Sequence, residues 1–278
     1  MDNHLNELSI FIINLQHSSE RKAHMQKLCE QIGLKATFIN AVDGAFIKPA
    51  EIIGKSSNEA AIRTIGRELS MGEIGCALSH RKIYQKMVDE NIQQALVFED
   101  DVEFNSQLLG ALNLEDEFPL DWELVLLGHH GAESRTSSNN GSFWGRVKLS
   151  SGDSLIRPCE LTYGAYGYLI NQQGAVKLLN DLECMAKPLD HYTGDSEHVN
   201  LYAIDPVLIR IHDELSDNYH SMEDRNRLSE LQHSLQNTKY ASWYKNLSVR
   251  LGIYSGLNSL YQQPKAWLNK IKPLKKYT

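Results

Sequence analysis

Leu8-Ser9-Ile10-Phe11-Ile12-Ile13-Asn14 is a short, β-branched apolar run that stops abruptly at polar residues, the pattern of a strand covered on both faces. Behind it, Met25, Leu28, Cys29 and Ile32 recur at helical spacing across residues 20–32. A second strand is predicted over residues 36–40, leading into the turn signal Val42-Asp43-Gly44. Strand, helix, strand in that order predicts an α/β fold with a mostly parallel sheet and crossover helices.

Working outward, residues 44–69 have weak periodicity and many small or polar side chains, so an irregular excursion with one short helix is expected. Ser70-Met71-Gly72-Glu73 reads as a capping box opening a helix that runs to about Asn91. Further strands are predicted at Ala95-Leu96-Val97-Phe98, at Trp122-Glu123-Leu124-Val125-Leu126-Leu127 and over residues 165–170. A helix is predicted from Gln172 to about Cys184, and the last apolar run, 204–211, is interrupted by Pro206. With no internal repeat or low-complexity linker, residues 1–225 are expected to form one domain and 226–278 a basic, aromatic-rich helical region.

The chain has 278 residues, 42% of them hydrophobic and 23% charged, which excludes disordered, collagen-like and disulfide-stapled classes. The net charge of -7 is unevenly spread. Of the 28 Lys and Arg, eight fall in residues 231–278, where no Asp or Glu stands, leaving 20 basic against 35 acidic side chains before them. An acidic body disfavours nucleic acid as a partner, and the basic tail is a candidate for an anionic surface. Cys29, Cys76, Cys159 and Cys184 are scattered without a CxxC pair and read as reduced thiols. No stretch approaches the roughly 18 uninterrupted apolar residues of a membrane span. The N-terminal residues lack the basic and apolar regions of a signal peptide, so a cytoplasmic chain is expected, soluble or peripheral on a membrane.

Phe98-Glu99-Asp100-Asp101 is the most informative feature for chemistry, because it places three carboxylates where a buried strand leaves the sheet. Ligands of open α/β folds gather beyond the carboxyl ends of strands, and clustered carboxylates there call for a neutralising cation. Mg²⁺ and Mn²⁺ suit oxygen ligands and bridge carboxylates to substrate phosphates. Strand alternation predicts that Glu99 and Asp101 point one way and Asp100 the other; a solvated acidic loop is the plainer alternative. At the first strand end, Asn14, Leu15, Ser18 and Arg21 bring a polar turn, a helix N-cap and a guanidinium suited to phosphate. Gly72 and Gly75 lie inside a helical pattern, where each costs about 1 kcal/mol relative to Ala, so a neighbouring element or ligand must approach closely. Tyr163, Tyr166 and Tyr168 with Gly164 and Gly167 suit sugar stacking or a tight strand entry.

Five ordered motifs together carry a resemblance: Ile13 to Arg21 (INLxxSxxR), Gly72 to His80 (GEIGCxxSH), Val97 to Val102 (VFEDDV), Tyr163 to Ala175 and Pro188-Leu189-Asp190. Over about residues 8–212 the chain resembles glycosyltransferase family 25, which includes bacterial lipooligosaccharide galactosyltransferases and is related to domains of collagen-modifying enzymes. The resemblance implies a GT-A-like fold and a UDP-sugar donor. It also implies inverting transfer, often of galactose in β-1,4 linkage, with UDP-glucose or UDP-N-acetylglucosamine as the alternative donors. It implies that Glu99 and Asp101 hold Mn²⁺ or Mg²⁺ on the donor diphosphate, with His212 a further candidate ligand although Arg210-Ile211-His212 replaces a Gln-containing segment. Asn14, Leu15, Arg21 and Asp100 would line the donor side, and Tyr163 and Tyr166 the acceptor side. Asp190 is the first candidate for the general base and Asp195 the second.

Beyond Arg225, aromatic and aliphatic residues interleave with Lys and Arg, and Lys270, Lys272, Lys275 and Lys276 could meet anionic head groups. A cytosolic enzyme held near an oligosaccharide acceptor built on lipid is the leading expectation. A metal-dependent phosphate-ester hydrolase and a non-catalytic sugar-binding protein are the competing classes.

Overall fold

In the computed structural model, which describes residues 8–129, 146–158, 161–212 and 214–215, the opening unit folds as its hydrophobic pattern dictates. β1 (Ser9–Asn14) is followed by α1 (Ser19–Ile32) and β2 (Thr37–Asn40). β2 lies parallel to β1 from Phe11 opposite Thr37 to Asn14 opposite Asn40. Ser18 makes no side-chain cap for α1; its carbonyl instead accepts from Asn14 Nδ2 at 3.1 Å.

Residues 44–69 hold more helix than the sequence predicts: a 3₁₀ turn at Gly44–Phe46, α2 (Pro49–Ile52) and α3 (Asn58–Ile65). The physical reason for α3 is local, since Ser57 Oγ accepts from Ala60 N and Gly66 takes the left-handed conformation that stops it. α4 (Met71–Asp89) opens with the expected capping box. Ser70 Oγ accepts from Glu73 N at 3.2 Å, while the Glu73 carboxylate accepts from Ser70 N at 2.8 Å and from Arg67. Gly75 has a packing reason, because a Cβ there would stand 2.6 Å from the Val42 carbonyl and 3.0 Å from Gly44 N.

The chain continues through β3 (Gln94–Glu99), β4 (Val102–Phe104), α5 (Gln107–Leu112), β5 (Leu124–Leu126), β6 (Val147–Lys148) and β7 (Ser154–Ile156). It then forms β8 (Gly167–Asn171), α6 (Gln172–Asp181), α7 (Asp190–Thr193), β9 (Leu201–Asp205) and β10 (Ile209–Ile211). The main sheet has the order β2-β1-β3-β8-β5-β9-β7-β6, and β10 pairs with β4 in a second, two-stranded sheet. Among the described strands of the main sheet, β8 and β7 run against their neighbours and the rest share one direction. The α/β architecture with a mostly parallel central sheet is therefore the one observed.

Alternation along the central strands builds two cores. Phe11 and Ile13, Ala95 and Val97, Leu124 and Leu126, and Tyr168 and Ile170 face one cluster with α3, α4 and α6. Ile10 and Ile12, Leu96 and Phe98, Val125 and Leu169 face the other, with α1 and α5. Full burial of each such side chain contributes roughly 1.5–3 kcal/mol, which is why these strands read as continuous apolar runs.

The last apolar run is not one strand. It breaks at Pro206: β9 lies in the main sheet and β10 pairs with β4. The region 226–278 and Cys159 lie outside the described residues. Cys29, Cys76 and Cys184 carry no disulfide, and no helix among the described residues is long and apolar enough to cross a membrane.

Candidate active site

The carboxyl ends of β1 and β3 lie side by side, with Ile13 opposite Glu99 in register. A cavity of about 280 Å³ opens there, lined by Leu15, Arg21, the 41–45 turn, Gly72, Cys76, Ser79, His80, Glu99, Asp100 and Asp101. A larger groove of about 600 Å³ runs along the outer face of α4, lined by charged surface side chains including Lys55, Arg81, Lys82 and Lys86 and away from the acidic turn. The smaller cavity is the one that chemistry favours, because a carboxylate cluster at strand ends is where an α/β sheet takes a ligand.

β3 ends at Glu99 and β4 begins at Val102, so Asp100 and Asp101 form a turn. The strand ends at Glu99, and all three residues line the same cavity, Glu99 from the α4 side and Asp100 from the α1 side. Each is held differently. Asp100 is buried and accepts from Asn14 Nδ2 at 2.6 Å, with Arg21 Nη1 at 3.3 Å from its other oxygen. Burial pushes the Asp100 carboxyl above its ordinary range against the opposing pull of Asn14 and Arg21, and the Glu99 charge adds to the rise. Asp101 is also buried, and its carbonyl accepts from His212 N at 2.7 Å. Glu99 turns toward α4, with Oε1 at 3.5 Å from His80 Nε2 and 3.8 Å from Cys76 Sγ.

His212 follows β10 and so stands at the acidic turn; its ring meets His24 edge-on at 4.9 Å, and its buried Nδ1 has no hydrogen-bond partner among the described residues. A hard divalent cation fits this edge by donor chemistry, since Asp101 supplies a carboxylate and His212 an imidazole nitrogen, and phosphates of a ligand would complete the shell. Asp100 and Asp101 with His212 do not form a close group of three donors; the one such group among the described residues is Cys76, His80 and Glu99.

Asp190 is the first residue of α7. Its charge, after burial and Glu99, helps push the Cys76 thiol up. Tyr163 packs edge-on to His191 at 5.4 Å. Gly194 makes this possible, for it lies so close to the Thr162 carbonyl that no side chain would fit. Asp195 spends one carboxylate oxygen on Glu197 N at 3.0 Å, a turn-stabilising bond. Tyr166 does not reach the cavity: it is 6% exposed, packed in the second core over Gly128.

The structure thus brings together Asn14, Leu15, Arg21, Glu99, Asp100 and Asp101, with His212 behind the turn, while Asp190 and Tyr163 are not among the residues that line the cavity. Sequence reading missed the 41–45 turn, Ser79 and Cys76 as cavity wall. The available signal was the i, i+4 spacing of Cys76 and His80, which puts both on one helix face beside Glu99.

Fold and cavity define an α/β protein with an oxygen-donor site at its strand ends. The chain belongs to glycosyltransferase family 25: residues 7–193 match the family described as "Glycosyltransferase family 25 (LPS biosynthesis protein)". A "Glycosyltransferase 25 family member" of Drosophila pseudoobscura pseudoobscura is 31% identical over 193 residues, 65% of this chain and 28% of that protein. "Procollagen galactosyltransferase 2" of Homo sapiens is 27% identical over 179 residues, 61% of this chain and 27% of that protein. The chain therefore spans little more than a quarter of these relatives' length. A solved glycosyltransferase involved in glycosylation of the major capsid of PBCV-1 overlays 63% of this chain and 65% of its own at 9% identity and a TM-score of 0.29, too low to carry an argument.

Proposed function

We propose that the chain is an inverting glycosyltransferase that moves a hexose from a UDP-sugar to a sugar hydroxyl. Galactose from UDP-galactose is the preferred donor, the linkage β-1,4, and the acceptor a lipooligosaccharide or lipopolysaccharide sugar. The observation that carries the reading is the acidic turn Glu99-Asp100-Asp101 on the wall of a strand-end cavity, in a chain of this family. The galactosyltransferase name of one matched relative supports the choice of sugar.

In this reading Asp101, with His212 behind the turn, holds Mn²⁺ or Mg²⁺; Glu99, the other ligand the resemblance implied, turns instead toward Cys76 and His80, and Asp100 stays on the donor side. Bound there, the cation supplies Lewis-acid stabilisation of the charge that grows on the departing diphosphate. Asn14 and Arg21 keep Asp100 in position through the two bonds described. Leu15 and the 41–45 turn form the wall for the nucleoside. Asp190 takes the proton of the acceptor hydroxyl as its oxygen attacks the anomeric carbon from the face opposite UDP. The new carbon–oxygen bond forms as the bond to phosphate breaks, and UDP leaves with the electron pair. Tyr163, packed on His191 next in sequence to that base, offers the acceptor a ring. Asp195 is the second candidate base, but its bond to Glu197 N supports a structural role.

The acid-free basic segment 231–278 supports peripheral attachment to an anionic, cytoplasmic membrane face, where a lipid-borne acceptor would lie. The direct test is UDP release with Mn²⁺, a panel of UDP-galactose, UDP-glucose and UDP-N-acetylglucosamine, and lactose, glucose or N-acetylglucosamine as acceptors. Acceptor-dependent release that Asp101→Asn abolishes supports the reading. A folded protein that releases UDP from no donor, or that hydrolyses simple phosphate esters without an acceptor, overturns it.

A further inference from the structure

We infer that Cys76, His80 and Glu99 form a second metal site, one for a thiophilic divalent ion of the Zn²⁺ type and separate from the Asp101 carboxylate. One ligand atom from each of the three lies within 4.8 Å of the other two. Metal–ligand bonds of about 2.0–2.3 Å at tetrahedral angles require ligand atoms about 3.3–3.8 Å apart. The observed separations are 3.5 Å for His80 Nε2 to Glu99 Oε1 and 3.8 Å for Cys76 Sγ to the same oxygen.

The imidazole supplies the independent observation. His80 is fully buried, and its Nε2, 3.5 Å from Glu99 Oε1, makes no hydrogen bond among the described residues. Its other nitrogen, Nδ1, lies 2.7 Å from Tyr168 Oη, which lies 2.7 Å from Tyr84 Oη. A metal-bound histidine characteristically donates its second N–H to an oxygen, which fixes the ring and leaves the first nitrogen's lone pair for the ion. The buried tyrosine pair is such an acceptor, because hydroxyl protons rotate to suit the donor.

The donor set decides the kind of ion. Sulfur, imidazole and one carboxylate favour Zn²⁺ or Co²⁺ over Mg²⁺ or Mn²⁺. In the metal-free arrangement the Cys76 thiol donates to Glu99. Binding the ion displaces that proton to solvent, and the two negative ligands then balance the dication. All three residues line the 280 Å³ cavity, which gives the ion an entry path and leaves a fourth position for water. Bound there, the ion would fasten α4 to the end of β3.

The site does not rest on the transferase reading, and its test reads no transfer. Co²⁺ is titrated into the reduced full-length protein while absorbance is followed. The expected result is a one-to-one thiolate-to-cobalt charge-transfer band, displaced by Zn²⁺, lost in Cys76→Ser, and formed about ten- to a hundredfold more weakly in Tyr168→Phe. On the unmodified protein, Zn²⁺ should also protect Cys76 from alkylation, read by mass spectrometry, so the result does not depend on a variant folding. No band with the wild-type protein, a band unchanged in Cys76→Ser, or alkylation of Cys76 at the same rate with and without Zn²⁺ overturns the proposal.

Discussion

Asp100 spends its two oxygens on Asn14 and Arg21, so the carboxylate in the middle of the acidic turn ties the turn to the first strand end. Arg21→Ala removes the cation and leaves a buried carboxylate with less compensation, at a cost of about 1–3 kcal/mol, read as a lower Tm. Asp100→Asn keeps the shape without the charge and should cost less than Arg21→Ala in the same measurement. With Asp190 as the proposed base, Asp190→Asn should lower kcat by about 10²–10⁴-fold with the donor KM little changed. Asp195→Asn should instead move Tm and spare kcat; the reverse outcome would exchange the two roles. His191 supplies a pH prediction. Burial first, then Lys187, brings its pKa down from 6.5 to about 4. The unfolded chain therefore binds the proton more readily, and stability should fall as pH drops from about 6.5 toward 4. Urea unfolding across that window should show a smaller slope for His191→Gln.

The start of α4 shows how much an element's own sequence can say. Ser70 and Glu73 stand three apart before an apolar pattern, and the reciprocal bonds they form are the ones that spacing predicts. Ser70→Ala should cost about 1 kcal/mol by thermal unfolding. Gly75→Ala should cost about 1–3 kcal/mol, because its neighbour is backbone that cannot step aside. β1, β3 and the carboxylates after β3 were legible for the same reason: burial on both faces writes a continuous apolar run, and its end is marked by polarity. Three things were not. The reversal of β8 leaves no trace, since a strand buried on both faces has the same composition in either direction. The split at Pro206 sends similar apolar residues to different sheets, a choice made by tertiary pairing. The path of the 41–45 turn to the cavity depends on its contact with Gly75, which is distant in sequence.

For the molecule as a whole, the region matched to the family ends at residue 193, before β9 and β10. β9 lies between β5 and β7 in the main sheet and contributes Leu201 and Ala203 to one core and Tyr202 and Ile204 to the other. A fragment of residues 8–193 would expose β5 and strip one side of each core, so it should be insoluble or lack a cooperative transition. A fragment of residues 8–215 should unfold in one step in calorimetry.

The pairing of β10 with β4, sealed by the bond from His212 N to the Asp101 carbonyl, has a consequence for how the protein is made. Chains emerge from the ribosome N-terminus first, and the early βαβ unit can form while later strands are still being synthesised. The acidic turn, however, stays unclamped until β10 has cleared the exit tunnel. A nascent chain therefore carries its carboxylates, while the roughly one hundred residues between the turn and β10 are made, without the strand that clamps them.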